Sequence, residues 1–299
     1  MKSVKMYYVD AFTNENFQGN QAPVIINADA LTEDEMQKIA TELNASETVF
    51  VSSSKAADFR TRYFTPKTEV NVCGHGTVAA YYVLSKLGMI GKSKITHETN
   101  IGVLPINIER NALEEPTQIM MHQQNPKFIE VSVSREEIAE ALNVDVSALM
   151  EEYPIQNVST GRMKLIIPIV NRKTLVAMKP DFNKIYNICK KLDTNGFHLF
   201  SFDTLDLESI TVARHFAPTV GVNEDPVTGI AAGALGCYLV KYCRDRIECS
   251  ENMKFIMEQG DHMNKKGRIH VHIKMTDSTI SSVKVGGSAR VLFETTFNI

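Results

Sequence analysis

One stretch of the sequence occurs twice, as FTPKTEVNVCGHGTVAAYYVLSKL at Phe64–Leu87 and as FAPTVGVNEDPVTGIAAGALGCYL at Phe216–Leu239. The copies align without a gap at an offset of 152 residues. The identical positions are Phe64/Phe216, Pro66/Pro218, Val70/Val222, Asn71/Asn223, Ala79/Ala231, Ala80/Ala232 and Leu87/Leu239. Each copy predicts a strand, a proline-containing turn, a glycine-containing bend and an alanine-rich helix that is apolar on nearly every face. Such a helix belongs inside a domain, so the repeat predicts two similarly folded halves.

The rest of the chain is rich in strands and poor in helices. Three surface helices are predicted, with starts at Thr32, Ser134 and Asp181; the first two starts are capping boxes. Strand-like apolar runs separate them, which indicates an α+β fold and not an alternating doubly wound sheet. We predict two similar domains, each a curved, mostly antiparallel sheet wrapped around a central helix. The first is residues 1–124, completed by about 286–299, and the second is residues 125–285.

Composition excludes several classes of protein. The 299 residues carry 32 Lys and Arg against 35 Asp and Glu, without a basic run, so no nucleic-acid partner is expected. The longest apolar stretches are shorter than the roughly 18 residues of a spanning helix, and the N-terminus lacks the apolar region of a signal peptide. No membrane partner and a cytoplasmic location are therefore expected. Five cysteines without a CxxC pair predict a reducing compartment and no metal site.

The chemistry is expected where each central helix begins. A helix N-terminus presents backbone N–H groups and a partial positive charge, which favour a carboxylate or another anion. The first copy of the repeat has Cys73–Thr77 at this point, and the second copy has Asp225–Gly229. The offset aligns Cys73 with Asp225, and both of these side chains can hold a proton.

Several motifs resemble those of the PhzF-like isomerase family of phenazine biosynthesis, which shares the diaminopimelate epimerase fold. They are VDAFTNENFQGNQAPV at Val9–Val24, ASETVFV at Ala45–Val51, RYFTPKTEVNVCGHGT at Arg62–Thr77, FAPTVGVNEDPVTG at Phe216–Gly229, EQG at Glu258–Gly260 and VGGSARVLFE at Val285–Glu294. The resemblance covers nearly the whole chain. It implies two similar domains, each with a curved antiparallel sheet around a central helix, and an active site in the cleft between them.

The resemblance also implies an activity, which is a proton shift within one small, carboxylate-bearing substrate without any cofactor. The family glutamate that removes and returns the proton matches Glu47 in the SET motif. His75 matches a histidine that assists proton transfer or orients the substrate. Asp225 matches an aspartate that hydrogen-bonds a polar group of the substrate, with N-capping of the helix as the alternative. Family members are often dimers, so a homodimer is the implied assembly.

Further residues are expected to bind the substrate. Backbone donors to a substrate carboxylate are predicted at Gly74, Gly76, Thr77, Thr228 and Gly229. Asn20 follows Gly19 in a predicted tight turn and is expected to hydrogen-bond the ligand, with a role in the turn alone as the alternative. The chain departs from the phenazine enzymes at Ile230, where they carry a small hydroxyl residue. This departure indicates a different substrate.

Two other functions stay open on the sequence alone. One is a two-base amino-acid racemase or epimerase that uses Cys73 with Asp225 or Glu47. The epimerase relatives use two opposed cysteines, whereas only one of the two aligned positions here is a thiol. The other is a non-catalytic protein that binds a metabolite on the same fold.

Overall fold

The computed structural model describes residues 2–299, which form eighteen strands and six α-helices. The strands are β1 (Ser3–Ala11), β2 (Asn20–Ile25), β3 (Thr48–Ser52), β4 (Phe59–Phe64), β5 (Glu69–Val70), β6 (Lys94–Thr99), β7 (Gly102–Arg110), β8 (Pro116–Gln123), β9 (Lys127–Ile129), β10 (Gln156–Ser159), β11 (Met163–Pro168), β12 (Phe197–Ser201), β13 (Thr211–Ala217), β14 (Val222–Asp225), β15 (Asn252–Gln259), β16 (Gly267–Thr276), β17 (Thr279–Gly287) and β18 (Ala289–Asn298). The helices are α1 (Glu33–Leu43), α2 (Gly74–Lys86), α3 (Arg135–Leu142), α4 (Arg172–Ala177), α5 (Phe182–Lys191) and α6 (Gly229–Tyr242). The capping boxes predicted at Thr32 and Ser134 are confirmed.

The chain divides into two compact units. The first unit extends to His122 and includes Gly286–Ile299, and the second unit is Gln123–Val285. In the first unit, β1 pairs antiparallel with both β18 and β2, so the last strand of the chain completes the sheet that the first strand begins. The pairing continues through β3, β4, β6, β7 and β8.

Both units repeat one succession of strand pairings. In the first unit β2 is parallel to β3, β3 antiparallel to β4, β4 parallel to β6, and β6 antiparallel to β7. In the second unit β11, β12, β13, β15 and β16 follow each other in the same order with the same directions. This shared order confirms the α+β fold with two similar halves that the sequence repeat predicts.

The two repeated segments form the central helices. All but two residues of α2 are buried, and α2 packs on β1, β2, β3 and β18 within its own unit. In the other unit α6 is buried to a similar degree and packs on β10, β11 and β16. Six of the fourteen residues of α6 are glycine or alanine, so strands can approach its backbone closely: a Cβ at Gly236 would lie 2.7 Å from the Val271 side chain. No helix within residues 2–299 is long and apolar enough to cross a membrane.

The two central helices start at different points of the repeat. Helix α2 begins at Gly74, with Cys73 as its N-cap. Helix α6 begins at Gly229, which corresponds to position 77 of the first copy and is therefore three residues later. The N-cap of α6 is Thr228, so the alternative role of Asp225 as the N-cap is wrong: Asp225 ends β14.

Gly19 stands where no other residue fits, immediately before β2. Its φ is +66°, and a Cβ at this position would lie 2.1 Å from the carbonyl oxygen of Ala11. We expect Gly19→Ala to lower the free energy of unfolding by more than about 2 kcal/mol, because the change combines left-handed strain with a backbone clash. Urea unfolding followed by circular dichroism measures the loss. Gly91→Ala is the matched control, because a Cβ at Gly91 meets nothing within 4 Å; equal losses for both variants would contradict the prediction.

Candidate active site

The predicted site residues fall into two groups, one in each unit. The first unit holds Glu47, His75, Asn20 and the glycines at the start of α2, and the second unit holds Asp225 and the start of α6. In the first group, Glu47 lies in the short link between α1 and β3. Asn44 ends α1 in the left-handed conformation, with φ 48°. The chain then turns directly into the buried strand β3, which holds the Glu47 backbone next to the core.

Glu47 and His75 are in contact. Oε2 of Glu47 lies 3.4 Å from Nε2 of His75, and the exposed fractions of the two side chains are 24% and 9%. Oγ of Ser46 lies 3.4 Å from the same ring nitrogen. Both residues are predicted site residues, and the structure brings them together. A carboxylate that touches an imidazole and is partly open to solvent can take up and release a proton.

Cys73 completes this group as the N-cap of α2. Its Sγ accepts a hydrogen bond from the backbone N–H of Gly76 at 3.4 Å. The same sulfur lies 3.5 Å from Nδ1 and 3.6 Å from Nε2 of His75. Three potential metal-ligand atoms therefore lie within 4.8 Å of one another, one each from Glu47, Cys73 and His75. Within residues 2–299 this is the one cluster of three or more His, Cys, Asp or Glu side chains at such distances.

Not every predicted backbone donor is available at the start of α2. The N–H of Thr77 already donates to the carbonyl of Cys73 at 3.0 Å, as in any helix, and a role for Thr77 in substrate binding stays a prediction. The Thr77 side chain is fully buried as well, with its Oγ1 2.6 Å from the hydroxyl of Tyr63. Gly76 already donates to Cys73 Sγ. Gly74 is the first residue of the helix, and its N–H has no intrahelical acceptor.

Asn20 lies at the first position of β2, opposite Ala11 of β1. Its exposed fraction is only 4%. Gly19 before it has a positive φ, which agrees with the predicted turn. A role for Asn20 in binding the ligand stays a prediction.

Asp225 is held in a turn between β14 and α6. Oδ2 of Asp225 accepts a hydrogen bond from Oγ1 of Thr228, and the backbone carbonyl of Asp225 accepts one from Nε2 of Gln259 at 2.8 Å. Oε1 of Gln259 accepts the N–H of Thr228 at 3.0 Å. Thr228 is therefore already engaged as a backbone donor, whereas Gly229, the first residue of α6, has no intrahelical acceptor for its N–H.

Gln259 holds the turn that carries Asp225, and it is not among the site residues predicted from the sequence. It is 1% exposed, and its amide fastens both ends of the turn that carries Asp225. The signal was present in the EQG motif at Glu258–Gly260, because a buried amide in such a motif needs partners for its donors and its acceptor.

A second set of buried polar groups lies on β11, β12 and β13, next to Asp225. His215 of β13 is opposite Asp225 in the strand register, and Nζ of Lys164 lies 3.4 Å from its Nε2. His198 of β12 is opposite His215. Burial lowers the pKa of Lys164 to about 8 and that of His198 to about 3, and the pKa of His215 is also lowered by burial. No sequence motif indicated this cluster.

Comparison with known proteins agrees with this structure. The family model described as phenazine biosynthesis-like protein matches residues 9–295. An uncharacterized isomerase of Clostridium acetobutylicum is 39% identical over an alignment of 300 positions, which covers 98% of each chain. A Bacillus anthracis phenazine biosynthesis protein of the PhzF family is 36% identical, with a TM-score of 0.92 and full coverage of both chains.

A more distant structure shares the fold alone. The hydroxyproline epimerase of Agrobacterium vitis, solved with bound trans-4-hydroxy-L-proline, is 9% identical, with a TM-score of 0.62 over 99% of this chain and 91% of that chain. The family match, the identity to the relatives and the fold lead to one conclusion: the chain belongs to the PhzF family of phenazine biosynthesis-like proteins, and the resemblance inferred from its motifs is confirmed.

Proposed function

We propose that this chain is a cofactor-free isomerase that moves a proton within one small, carboxylate-bearing metabolite, with Glu47 as the acid and base. The observation that supports the proposal is the contact of the Glu47 carboxylate with Nε2 of His75 at the N-terminus of a buried helix. A carboxylate that is partly open to solvent can reach a substrate carbon, and the imidazole can donate a hydrogen bond to the carboxylate.

The proposed reaction conserves the proton. Glu47 in its ionised form removes a proton from one carbon of the substrate, and the electron pair of that C–H bond moves into the substrate's conjugated system. The same carboxyl group then returns the proton to a second position of the substrate, which restores the ionised glutamate. The N–H of Gly74 and the positive end of α2 bind a substrate carboxylate in this scheme.

The substrate is proposed to differ from the phenazine precursor. Ile230 is the second residue of α6 and is half-buried, and its side chain has no hydrogen-bonding group. A substrate hydroxyl or amine next to this position would lose a hydrogen bond and would be disfavoured. We expect the true substrate to present an apolar group there.

Solvent exchange tests the proposed activity without knowledge of the substrate. The protein is incubated in deuterated buffer with a panel of dihydro-aromatic and amino-acid carboxylates, and deuterium incorporation is measured by mass spectrometry and proton NMR. Incorporation into one compound at a rate that scales with enzyme concentration supports an isomerase. Binding in a thermal-shift assay without any incorporation would favour the non-catalytic metabolite-binding protein.

The two-base mechanism is the second candidate, because Sγ of Cys73 lies 3.5 Å from Nδ1 of His75. Substitution of the thiol separates the two mechanisms. Cys73→Ser keeps an N-cap oxygen for α2, so the helix start is preserved. With Glu47 as the single acid and base we expect exchange to persist within about tenfold of wild type, whereas a thiol base predicts a loss of about 10²-fold or more. The measurement is the initial rate of deuterium incorporation with the compound found in the panel.

A further inference from the structure

The side chains of Glu47, Cys73 and His75 have the composition of a zinc site. Thiolate, imidazole and carboxylate are the three protein ligands that Zn²⁺ accepts, and a site with three such ligands leaves the fourth position for water. Hard cations such as Mg²⁺ and Ca²⁺ take oxygen ligands instead. Glu47, Cys73 and His75 supply one ligand of each zinc-binding type.

Two of the three ligand-to-ligand distances in this group match those around one small tetrahedral ion, and all three are within 4.8 Å. With Zn–N and Zn–O near ~2.0 Å and Zn–S near ~2.3 Å, a tetrahedral ion holds a nitrogen about 3.3 Å from an oxygen ligand and about 3.5 Å from a sulfur ligand. Nε2 of His75 lies 3.4 Å from Oε2 of Glu47 and 3.6 Å from Sγ of Cys73. Sγ lies equally close to Nδ1, at 3.5 Å, so Nε2 is assigned to the ion because it alone also contacts Oε2 of Glu47.

The local structure holds the ligands in place before any ion binds. Cys73 and His75 come from one helix start, as the N-cap and the second residue of α2, so their separation is set by the helix. The N–H of Gly76 donates to Sγ of Cys73, as backbone donors do to metal-bound sulfur. Glu47 comes from a different element and is 24% exposed, which leaves a solvent-facing side for the ion to enter and for its water ligand.

We propose that Glu47, Cys73 and His75 form a binding site for one thiophilic divalent cation of the Zn²⁺ class. This site contains Glu47, the acid and base of the proposed function. The further expectation that a bound ion inhibits the enzyme rests on that proposed function. A bound ion occupies an oxygen of Glu47 and Nε2 of His75, so neither group can exchange a proton while the ion is present. Binding releases the thiol proton of Cys73 and is therefore stronger at higher pH.

Cobalt(II) tests the site by its spectrum and needs no substrate. The full-length protein is treated with chelator, kept reduced with a phosphine, and titrated with Co²⁺ without oxygen. We expect one equivalent to produce thiolate-to-cobalt charge-transfer absorption in the near ultraviolet and the intense visible bands of a tetrahedral ion. Zn²⁺ should displace the Co²⁺ and abolish both signals, whereas Mg²⁺ in excess should not.

Variants assign the signal to the three residues. Cys73→Ser should remove the charge-transfer absorption, and Glu47→Gln should weaken Co²⁺ binding by about tenfold or more. Cys249→Ser and Glu42→Gln are the matched controls, because both residues are exposed and lie outside the group. Circular dichroism verifies that each variant is folded. Absence of charge-transfer absorption in the wild type, or its persistence in both Cys73→Ser and Cys73→Ala, would overturn the proposal.

The outcome of the cobalt titration does not depend on the outcome of the deuterium-exchange assay. Charge-transfer absorption without deuterium exchange in the metal-free protein would support the cation site and count against the isomerase. Exchange in the metal-free protein that Zn²⁺ inhibits would support both proposals if Cys73→Ser loses the Zn²⁺ inhibition and the charge-transfer absorption but keeps the exchange. Exchange that is insensitive to Zn²⁺ at concentrations that displace Co²⁺ would contradict the proposed inhibition.

Discussion

Glu47→Gln is expected to abolish deuterium incorporation into the substrate, with a fall in rate of about 10²–10⁴-fold, the range that a general acid or base contributes. The amide has nearly the same shape as the carboxyl group and can still hydrogen-bond Nε2 of His75, from which Oε2 lies 3.4 Å in the wild type. It cannot accept a proton from carbon at neutral pH. The loss therefore reports the proton transfer and not the packing of the site.

The control for this variant is Glu42→Gln, which makes the same chemical change in α1. Glu42 is exposed and belongs to none of the contacts of the site, so exchange should stay at the wild-type rate. The initial rate of deuterium incorporation is measured for both variants at saturating substrate. Exchange at an undiminished rate in Glu47→Gln would refute the assignment of the acid and base.

His75→Gln is expected to lower the rate of deuterium incorporation by less than Glu47→Gln does. The histidine is proposed to hold the Glu47 carboxylate and a substrate group and not to move the proton alone, so its removal should cost less than removal of the glutamate. Its position as the second residue of α2 and its 7% exposure show that the imidazole is packed as well as polar. Thermal unfolding of the variant therefore accompanies the rate measurement.

The repeat explains why so much of the fold could be predicted. Helices such as α2 and α6 are recognisable because small apolar residues continue around every face, which only a buried helix tolerates. The register of the repeat also aligns a pair that the sequence analysis left out: Arg62 and Arg214 lie 152 positions apart. Each stacks on the phenylalanine two residues later and pairs with a glutamate at both Nε and Nη2.

The start of α6 could not be predicted from the repeat. The ungapped alignment places Asp225 at the N-cap position of Cys73, yet the helix begins three residues later, at Gly229. The reason is tertiary: the Gln259 side chain supplies hydrogen bonds to the backbone at Asp225 and Thr228, so this segment satisfies its polar groups without helical bonds. Gln259 is more than thirty residues away on β15, so the residues next to Asp225 do not reveal this partner, although the EQG motif contains it.

The buried histidines were equally hidden from sequence patterns, and burial shifts their pKa in the direction that weakens the fold in acid. His198 is 1% exposed, and neither of its ring nitrogens has a hydrogen-bond partner among residues 2–299. It faces His215 across the strand pair, with ring centroids 5.4 Å apart, and burial together with the charge of Lys164 lowers its pKa to about 3. In the first unit, burial lowers the pKa of His97 to about 4.

The sign of the effect follows from proton uptake. Below pH 6.5 the unfolded chain protonates these imidazoles while the folded chain keeps them neutral, so acid favours unfolding. For His97 the free energy of unfolding falls between pH 6.5 and about pH 4, by on the order of 3 kcal/mol in total. For His198 the fall extends to about pH 3, and the loss is at least as large. Above pH 6.5 these imidazoles are neutral in both the folded and the unfolded chain, so none of this stability is lost.

We therefore expect His198→Leu to move the acid-unfolding midpoint of the second unit down by about half a pH unit or more. The leucine fills much of the volume of the imidazole, and it has no nitrogen that must be buried without a protein partner or protonated on unfolding. Hydrogen exchange between pH 3 and 8, read separately for peptides of β12 and β13, follows the second unit alone. His272→Gln on β16 is the control, since His272 is only half-buried; an unchanged midpoint in His198→Leu, or an equal shift in the control, would show that proton uptake at His198 does not drive the acid transition.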